Sequence, residues 1–314
     1  MKISEIILNK GRDRKRRGPR QPWDKHVEFH SSSGDVANSN NKSFISESGA
    51  MPNVGAIHIS EIEPTLRPLE KVLGVDLVNN VLGSVGKKQF SGDIDVALNI
   101  SREDVPAFVE KLKSMPQILD VAQSSVIMTK LKINKYNPSL PTDKERTGYV
   151  QLDFMTGDPD WMKVFYHSPH EKDSKYKGVM RTTFLSTIAA VTNQKNSSET
   201  TDDGRPLESQ RFMFSPKDGL IRVNRTPIPK KSGEGYTKQY DNKIIGGPWK
   251  KADEIADVLN LGTGKDLDSF ETLFNAVKKN YDSATAKKIF TDFANSNLTK
   301  ELGVPTEIEH FMEK

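Results

Sequence analysis

The chain has 314 residues, no cysteine, 35% hydrophobic residues and a formal net charge of +4. Lack of cysteine excludes disulfides, thiol catalysis and cysteine-ligated zinc, and is compatible with a reducing compartment. No apolar run is long enough to span a bilayer and the N-terminus has no apolar signal core, so a soluble, intracellular (cytoplasmic) protein without a membrane partner is expected.

Residues 10–20, KGRDRKRRGPR, hold seven basic residues against one acid. Residues 31–53 follow, rich in Ser, Asn and Gly, so residues 1–56 read as a basic, polar and flexible leader. The basic stretch suits contact with the phosphate backbone of a nucleic acid; it suits equally a solubilising tail or a localisation signal.

The folded part is expected to start near Ile57. Residues 64–73 read as a short helix stopped by Gly74, and residues 77–82 as a strand entering Gly83-Ser84. Residues 93–98, DIDVAL, form a second strand. Ser101 is placed as the cap of a helix with Glu103 and Asp104 in its first turn, running to about Lys113 ahead of Pro116. Residues 126–133 and 148–155 read as two strands around a polar loop at 137–146. The order helix, strand, strand, helix, strand, strand predicts an α+β fold with a mixed or antiparallel sheet over residues 57–200.

A helix is predicted from Gly178 to about residue 193, with Phe184, Leu185, Ile188, Ala189 and Val191 as its apolar stripe. A polar loop follows to residue 204. Residues 211–223 read as a hairpin turning at 216–219, and the Pro-, Gly- and Lys-rich residues 226–247 as an irregular surface loop. Residues 201–250 thus form a basic hairpin-and-loop region; residues 205–251 hold eleven Lys or Arg against four acids. Residues 249–259, 268–279 and 284–294 are helical, with Asp268-Ser269-Phe270-Glu271 as a capping box. Residues 251–314 then make a small helical module, acidic over 252–314 with twelve acids against seven basic residues.

Residues 82–98, LGSVGKKQFSGDIDVAL, carry the chemistry. Strand side chains alternate, so Asp93 and Asp95 share one face while Ile94, Val96 and Leu98 enter a core. Two carboxylates on one face of an apolar strand are costly without a cation, and oxygen ligands of this kind suit Mg2+ or Mn2+. The Gly83-Ser84 turn offers backbone amides and a hydroxyl to a phosphate. Metal and phosphate recognition side by side point to phosphoryl or nucleotidyl transfer. Tyr149–Met155, YVQLDFM, alternates in the same way, with Val150, Leu152 and Phe154 inward and Gln151 and Asp153 on the opposite face.

Gly83-Ser84 followed by Ser91-Gly92-Asp93-Ile94-Asp95-Val96 resembles the signature of the DNA polymerase beta-type nucleotidyltransferase superfamily, and is most like its family X DNA polymerases. The resemblance covers roughly residues 60–190. It implies a catalytic palm at 57–200, catalytic and metal-binding roles for Asp93, Asp95 and Asp153, and two magnesium ions roughly 3.5–4 Å apart. It implies that Gly83, Ser84, Lys87, Lys88, Ser91 and Gly92 contact the phosphates of an NTP or dNTP, and that Arg181 completes the nucleotide-binding set near the base-pair or template pocket. The implied reaction moves a nucleoside monophosphate to a nucleic-acid 3′-hydroxyl and releases pyrophosphate. Nucleic acid would be held by residues 10–20 and 205–251. The chain departs from family X in carrying lysines where arginines are usual at 87–88, and in showing no helix-hairpin-helix element before the palm. Transfer to RNA or tRNA, to a protein or to a small molecule therefore stays open, as does a non-catalytic nucleic-acid-binding protein with the same fold.

Other motifs carry less. Gly262-Thr263-Gly264-Lys265 lacks the full phosphate-loop spacing and reads as a helix-flanking turn. His167 and His170 read as surface-loop residues, and Asp158 and Asp160 as turn residues.

Overall fold

In the computed structural model, which describes residues 51–192 and 194–313, the chain is a mixed α/β protein with two main hydrophobic cores. The basic stretch 10–20 lies outside the described residues.

Strand β1 (Ile57–His58) leads directly into helix α1 (Ile59–Leu73), which begins five residues before the expected start. Glu61 caps it, its carboxylate accepting from the His58 amide at 3.0 Å. Pro64 and Pro68 therefore lie inside the helix. Pro68 cannot donate to the Pro64 carbonyl, and the Asn134 side-chain amide donates to it instead at 2.9 Å, so the turn survives. Gly74 closes the helix at φ 74°. The strand expected at 77–82 is much shorter. Glu70 accepts from the amides of Leu77 and Val78 at 2.9 and 2.8 Å and turns the chain there. Only residues near Val81 pair with a neighbouring strand.

Strand β2 (Phe90–Ser91) pairs antiparallel with β1, and β3 (Asp93–Leu98) follows at once. Helix α2 (Val105–Lys113) is capped at Asp104, not Ser101; Ser101 forms the preceding turn, and Pro106 suits the first helical turn. Strands β4 (Ile118–Gln123), β5 (Ile127–Lys132) and β6 (Tyr149–Thr156) complete a sheet of order β3-β6-β5-β4. Strand β3 runs parallel to β6 and the other neighbours are antiparallel, a mixed sheet. Ile94, Val96, Val150, Leu152 and Phe154 are fully buried against Leu66 and Leu69 of α1 and Leu112 of α2. Strand β4 has no counterpart in the sequence reading: only Ile118 of its six residues is buried, so it has no clean alternation.

Helix α3 (Pro159–Phe165) opens the second core. Asp158 caps it by accepting from the amides of Asp160 and Trp161 at 3.2 and 3.4 Å, and it pairs with Lys250 at 3.1 Å. Asp158→Ala is expected to cost about 1 kcal/mol in chemical denaturation, the usual value of an N-cap; an unchanged midpoint would remove that role. Helix α4 (Gly178–Val191) is buried nearly all round and not on a single stripe. Phe184 sits at its centre with ring centroids of Phe270, Phe290 and Phe293 at 5.0, 6.0 and 4.9 Å.

Strands β7 (Lys195–Asn196), β8 (Ser209–Ser215), β9 (Gly219–Pro229) and β10 (Tyr236–Trp249) form a second, antiparallel sheet of order β10-β9-β8-β7. The irregular loop expected at 226–247 is instead the far half of a long hairpin. Its prolines and glycines are tolerated because β10 is an edge strand with register shifts near Tyr240, Gly246 and Trp249. Helices α5 (Ala252–Val258), α6 (Phe270–Asn280), α7 (Ser283–Ala294), α8 (Asn297–Leu302) and α9 (Thr306–Met312) follow, the last two unanticipated. Helix α6 is capped by Ser269 with Thr272, not with a glutamate. Residues 264–267 form a single 3-10 turn.

One core joins α3, α4, β8, β9 and the C-terminal helices, so α4, the hairpin and the helical module pack as one body. A small cluster of Leu82, Ala97 and Met162, with Tyr166, joins that body to the first sheet. Among the described residues no helix is long and apolar enough to cross a membrane.

Candidate active site

The parallel register of β3 and β6 sets Asp95 opposite Asp153 and Asp93 opposite Gln151. Period-two alternation on both strands then gathers three carboxylates and one amide on one face. Gln151 is buried and bridges outward: its Oε1 accepts from the Met51 amide at 3.0 Å, and its Nε2 donates to Asp153 Oδ2 at 2.9 Å. Asp153 Oδ1 is buried with no hydrogen-bond partner among the described residues.

The Gly-Ser turn lies over these carboxylates. Leu82 donates its amide to the Asp95 carbonyl at 2.8 Å, and Ala97 donates to the Asn80 carbonyl at 2.9 Å. Gly83 takes φ 64°, and a Cβ there would stand 3.9 Å from Asp95 Oδ2. The chain then turns at Ser84, whose carbonyl accepts from the Lys87 amide at 3.1 Å. Beyond that turn, Gly86, Lys87, Lys88, His170, Glu171 and Lys172 are among the residues that line an open cleft of about 510 Å³, and the three carboxylates are not among them.

Burial and mutual repulsion dominate the electrostatics. Asp95 is pushed up to about 8, first by burial and then by the charges of Asp93 and Asp153. Asp153 is pushed up to about 6 by burial, against the Gln151 hydrogen bond that lowers it. Asp93 is raised by burial, with Lys88 acting the other way. Lys87 is lowered by burial and by Arg181, and its ammonium donates to the Ser168 carbonyl.

The other sequence candidates divide. Ser84 and Gly92 are partly buried beside the turn and β3. Ser91 is 2% exposed and its hydroxyl is buried without a partner among the described residues, so phosphate could reach it only after local movement. Arg181 is a correction to the implied base-pair role. It is 2% exposed and donates to the carbonyls of Leu267, Val164 and Phe165 at 2.6, 2.9 and 3.3 Å. Its donors tie α4 to α3 and to the 3-10 turn, and its charge acts on Lys87 and His167.

Two residues near the site have no such role in the sequence reading: Tyr166 goes unremarked there, and His167 is expected in a surface loop but is partly buried against Gly83. Tyr166 lies by Asp95, its phenol pushed up to about 12 by burial and by that carboxylate. His167 pairs with Gly83 in a parallel β-bridge, and burial followed by the charges of Arg181, Lys87 and His170 pushes it down to about 4. Neither carries a local signal, because the end of α3 delivers both.

Among the described residues no three His, Cys, Asp or Glu side chains converge into a ready metal cage. The donor set nevertheless fits a hard divalent cation. Three carboxylates lie close enough for charge to act between them, one oxygen is buried without a partner among the described residues, and Lys88 and Lys144 act against the burial of Asp93.

These raised pKa values give a signed expectation. A carboxylate whose pKa is higher in the folded than in the unfolded chain stabilises fully below its unfolded pKa and loses that contribution as pH rises through its folded pKa. The melting temperature of the metal-free protein is therefore expected to fall between about pH 5 and pH 8.5, through the values for Asp153 and Asp95. Added Mg2+ or Mn2+ is expected to restore more stability at the upper end than at the lower. A flat profile indifferent to metal would contradict the carboxylate cluster.

No protein-family model matches the chain, and a search of curated proteins finds no match.

Proposed function

We propose that the chain is a magnesium-dependent nucleotidyltransferase of the DNA polymerase beta type, with its palm on the β3-β6-β5-β4 sheet. It would move a nucleoside monophosphate from an NTP or dNTP to a nucleic-acid 3′-hydroxyl. The observation that carries this reading is the parallel register setting Asp95 opposite Asp153 beneath Gly83. Three carboxylates there adjoin a turn with amides and lysines suited to phosphate.

Asp93, Asp95 and Asp153 would hold magnesium, which supplies charge neutralisation at the phosphates and a lowered pKa for the acceptor hydroxyl. Gln151 orients Asp153 by occupying Oδ2 and leaving Oδ1 for the ligand. The Gly83–Lys87 turn would present amides to the β and γ phosphates, with Lys87 and Lys88 balancing their charge as point charges. The acceptor hydroxyl would lose its proton to water as its oxygen forms a bond to the α phosphorus, the bond from that phosphorus to the bridging oxygen of the β phosphate breaks, and pyrophosphate leaves. The work asked of the protein is positioning and electrostatics.

The test is incorporation of labelled nucleoside triphosphates with magnesium and then manganese, on primer–template DNA, single-stranded DNA and bulk RNA. Asp93→Ala serves as control. Metal-dependent extension lost in Asp93→Ala supports the reading. Extension that survives in Asp93→Ala refutes the site. Nucleotide binding without extension moves the acceptor to tRNA, protein or a small molecule, and no nucleotide binding favours a non-catalytic protein.

A further inference from the structure

Residues 240–244 of β10 pair with residues 223–227 of β9 one for one, without a register shift. On its other side β10 is the edge of the second sheet, and among the described residues no strand pairs with it there. Along an antiparallel strand, alternate residues turn their amides and carbonyls to opposite neighbours. At the mouth of the hairpin the Lys230 amide donates to the Gly235 carbonyl at 3.0 Å, so the even-numbered residues of β9, Thr226 and Asn224 among them, turn their polar backbone to β10. Pro227 falls between them, where no N–H is needed. Thr226 and Asn224 stand opposite Asp241 and Lys243. The amides and carbonyls of Tyr240, Asn242 and Ile244 therefore point out from the edge.

Such an edge is a template for a further strand. Asp241, Asn242 and Lys243 are exposed, and Ile244 and Ile245 are 55% and 43% exposed. The five residues read Tyr-Asp-Asn-Lys-Ile, so Asp241 and Lys243 flank Asn242 on either side, and Tyr240 and Ile244 flank them in turn. A second copy laid antiparallel with Asn242 on Asn242 sets Asp241 opposite the second copy's Lys243, twice, and Tyr240 opposite the second copy's Ile244, twice. Outward backbone groups meet outward backbone groups only in registers that differ by two residues of sliding. Sliding by two in either direction puts Asp241 on Asp241 or Lys243 on Lys243, and like charges directly opposite are destabilising. Charge thus selects the register centred on Asn242. A two-fold contact is closed, so association stops at two copies.

We infer that the chain forms a homodimer by antiparallel pairing of β10 with β10 of a second copy about Asn242, joining the two second sheets into one. The contact uses none of the residues of the transfer site and stands or falls without it.

The test is sedimentation velocity of the full chain over roughly 1–300 µM, the range that suits a contact this small. Wild-type protein is expected to pass from a single chain of 35.2 kDa to a dimer as concentration rises. Lys243→Asp sets acid opposite acid at both positions and is expected to weaken dimerisation roughly 10- to 100-fold. Asp241→Lys sets lysine opposite lysine with the same expected loss, and it supplies the reading if Lys243→Asp does not fold. An equimolar mixture of the two variants is expected to dimerise again, because every facing pair is then of opposite charge. Lys231→Asp makes the same charge change in the hairpin loop and is expected to dimerise like wild type. A wild-type chain that stays monomeric throughout, a dimer untouched by Lys243→Asp and Asp241→Lys, an equal loss in Lys231→Asp, or folded variants whose mixture stays monomeric would each overturn the pairing.

Discussion

Asp95→Asn is expected to lower nucleotide transfer by roughly 10³-fold and, at the same time, to raise the melting temperature of the metal-free protein at about pH 8.5. The two effects have one cause. Asp95 is the most strongly shifted of the three carboxylates, pushed up to about 8 by burial, Asp93 and Asp153. Its ionised form is held in place against its own stability, as groups preorganised for a cation are. Asparagine keeps the shape and hydrogen-bonding capacity while removing the charge, so the repulsion ends and the fold gains. The ligand for the cation is lost with it. Near pH 5 the stability gain is expected to shrink, because Asp95 already carries a proton there. Labelled-nucleotide incorporation and thermal melts at both pH values read the two effects separately. Lower stability at both pH values would mean that Asp95 is a structural residue.

The largest loss of stability is expected from Arg146→Ala, at about 3–5 kcal/mol, the usual result of stranding one partner of a buried ion pair. Arg146 Nη2 donates to both Glu61 oxygens, at 2.8 and 3.0 Å, and the two side chains are 7% and 2% exposed. The guanidinium also lies over Tyr136 and Phe90, at 4.8 and 5.2 Å from the ring centres. Glu61 accepts in addition from the amides of His58 and Asn137, so the pair clamps the start of α1, the β5–β6 connection and β2. Strand β2 continues through Gly92 into Asp93, which makes weaker nucleotide binding an accompanying result. Arg146 Nε and Nη1 are buried without acceptors, so the whole pair is an imperfect solution. Glu61→Leu/Arg146→Met is accordingly expected to recover most of the loss in chemical denaturation. A single variant that melts like wild type would show that water reaches the pair.

Much of the first sheet could be read along the chain, because the signals there are local. Asp93 and Asp95 alternate with Ile94 and Val96, and Leu152 and Phe154 alternate with Asp153; the apolar core residues of β3 and β6 follow that period, while Ala97 and Gln151 are buried on the opposite face. Gly74 ends α1 as a left-handed glycine should. The expected start of α1 at Pro64 suits a proline in a first helical turn, whereas the helix begins at Ile59 and carries Pro64 in its interior, where the donor that compensates for Pro68, Asn134, lies 70 residues on. Strand β10 was misread because its glycines and prolines signal loop, and only pairing with β9 reveals the strand.

The candidate site shows the same division. Alternation over six residues is enough to put Asp93 and Asp95 on one face, and composition alone shows the basic weight of residues 205–251 and the lack of cysteine. Side-chain period is a property of the backbone and needs no partner. The pairing of Asp95 with Asp153, the arrival of Tyr166 and His167 and the burial of Arg181 all depend on strand register and on which core a helix joins. Those are non-local choices, set by the total burial of apolar surface across distant segments, and a residue's charge state follows from them through desolvation and neighbouring charge.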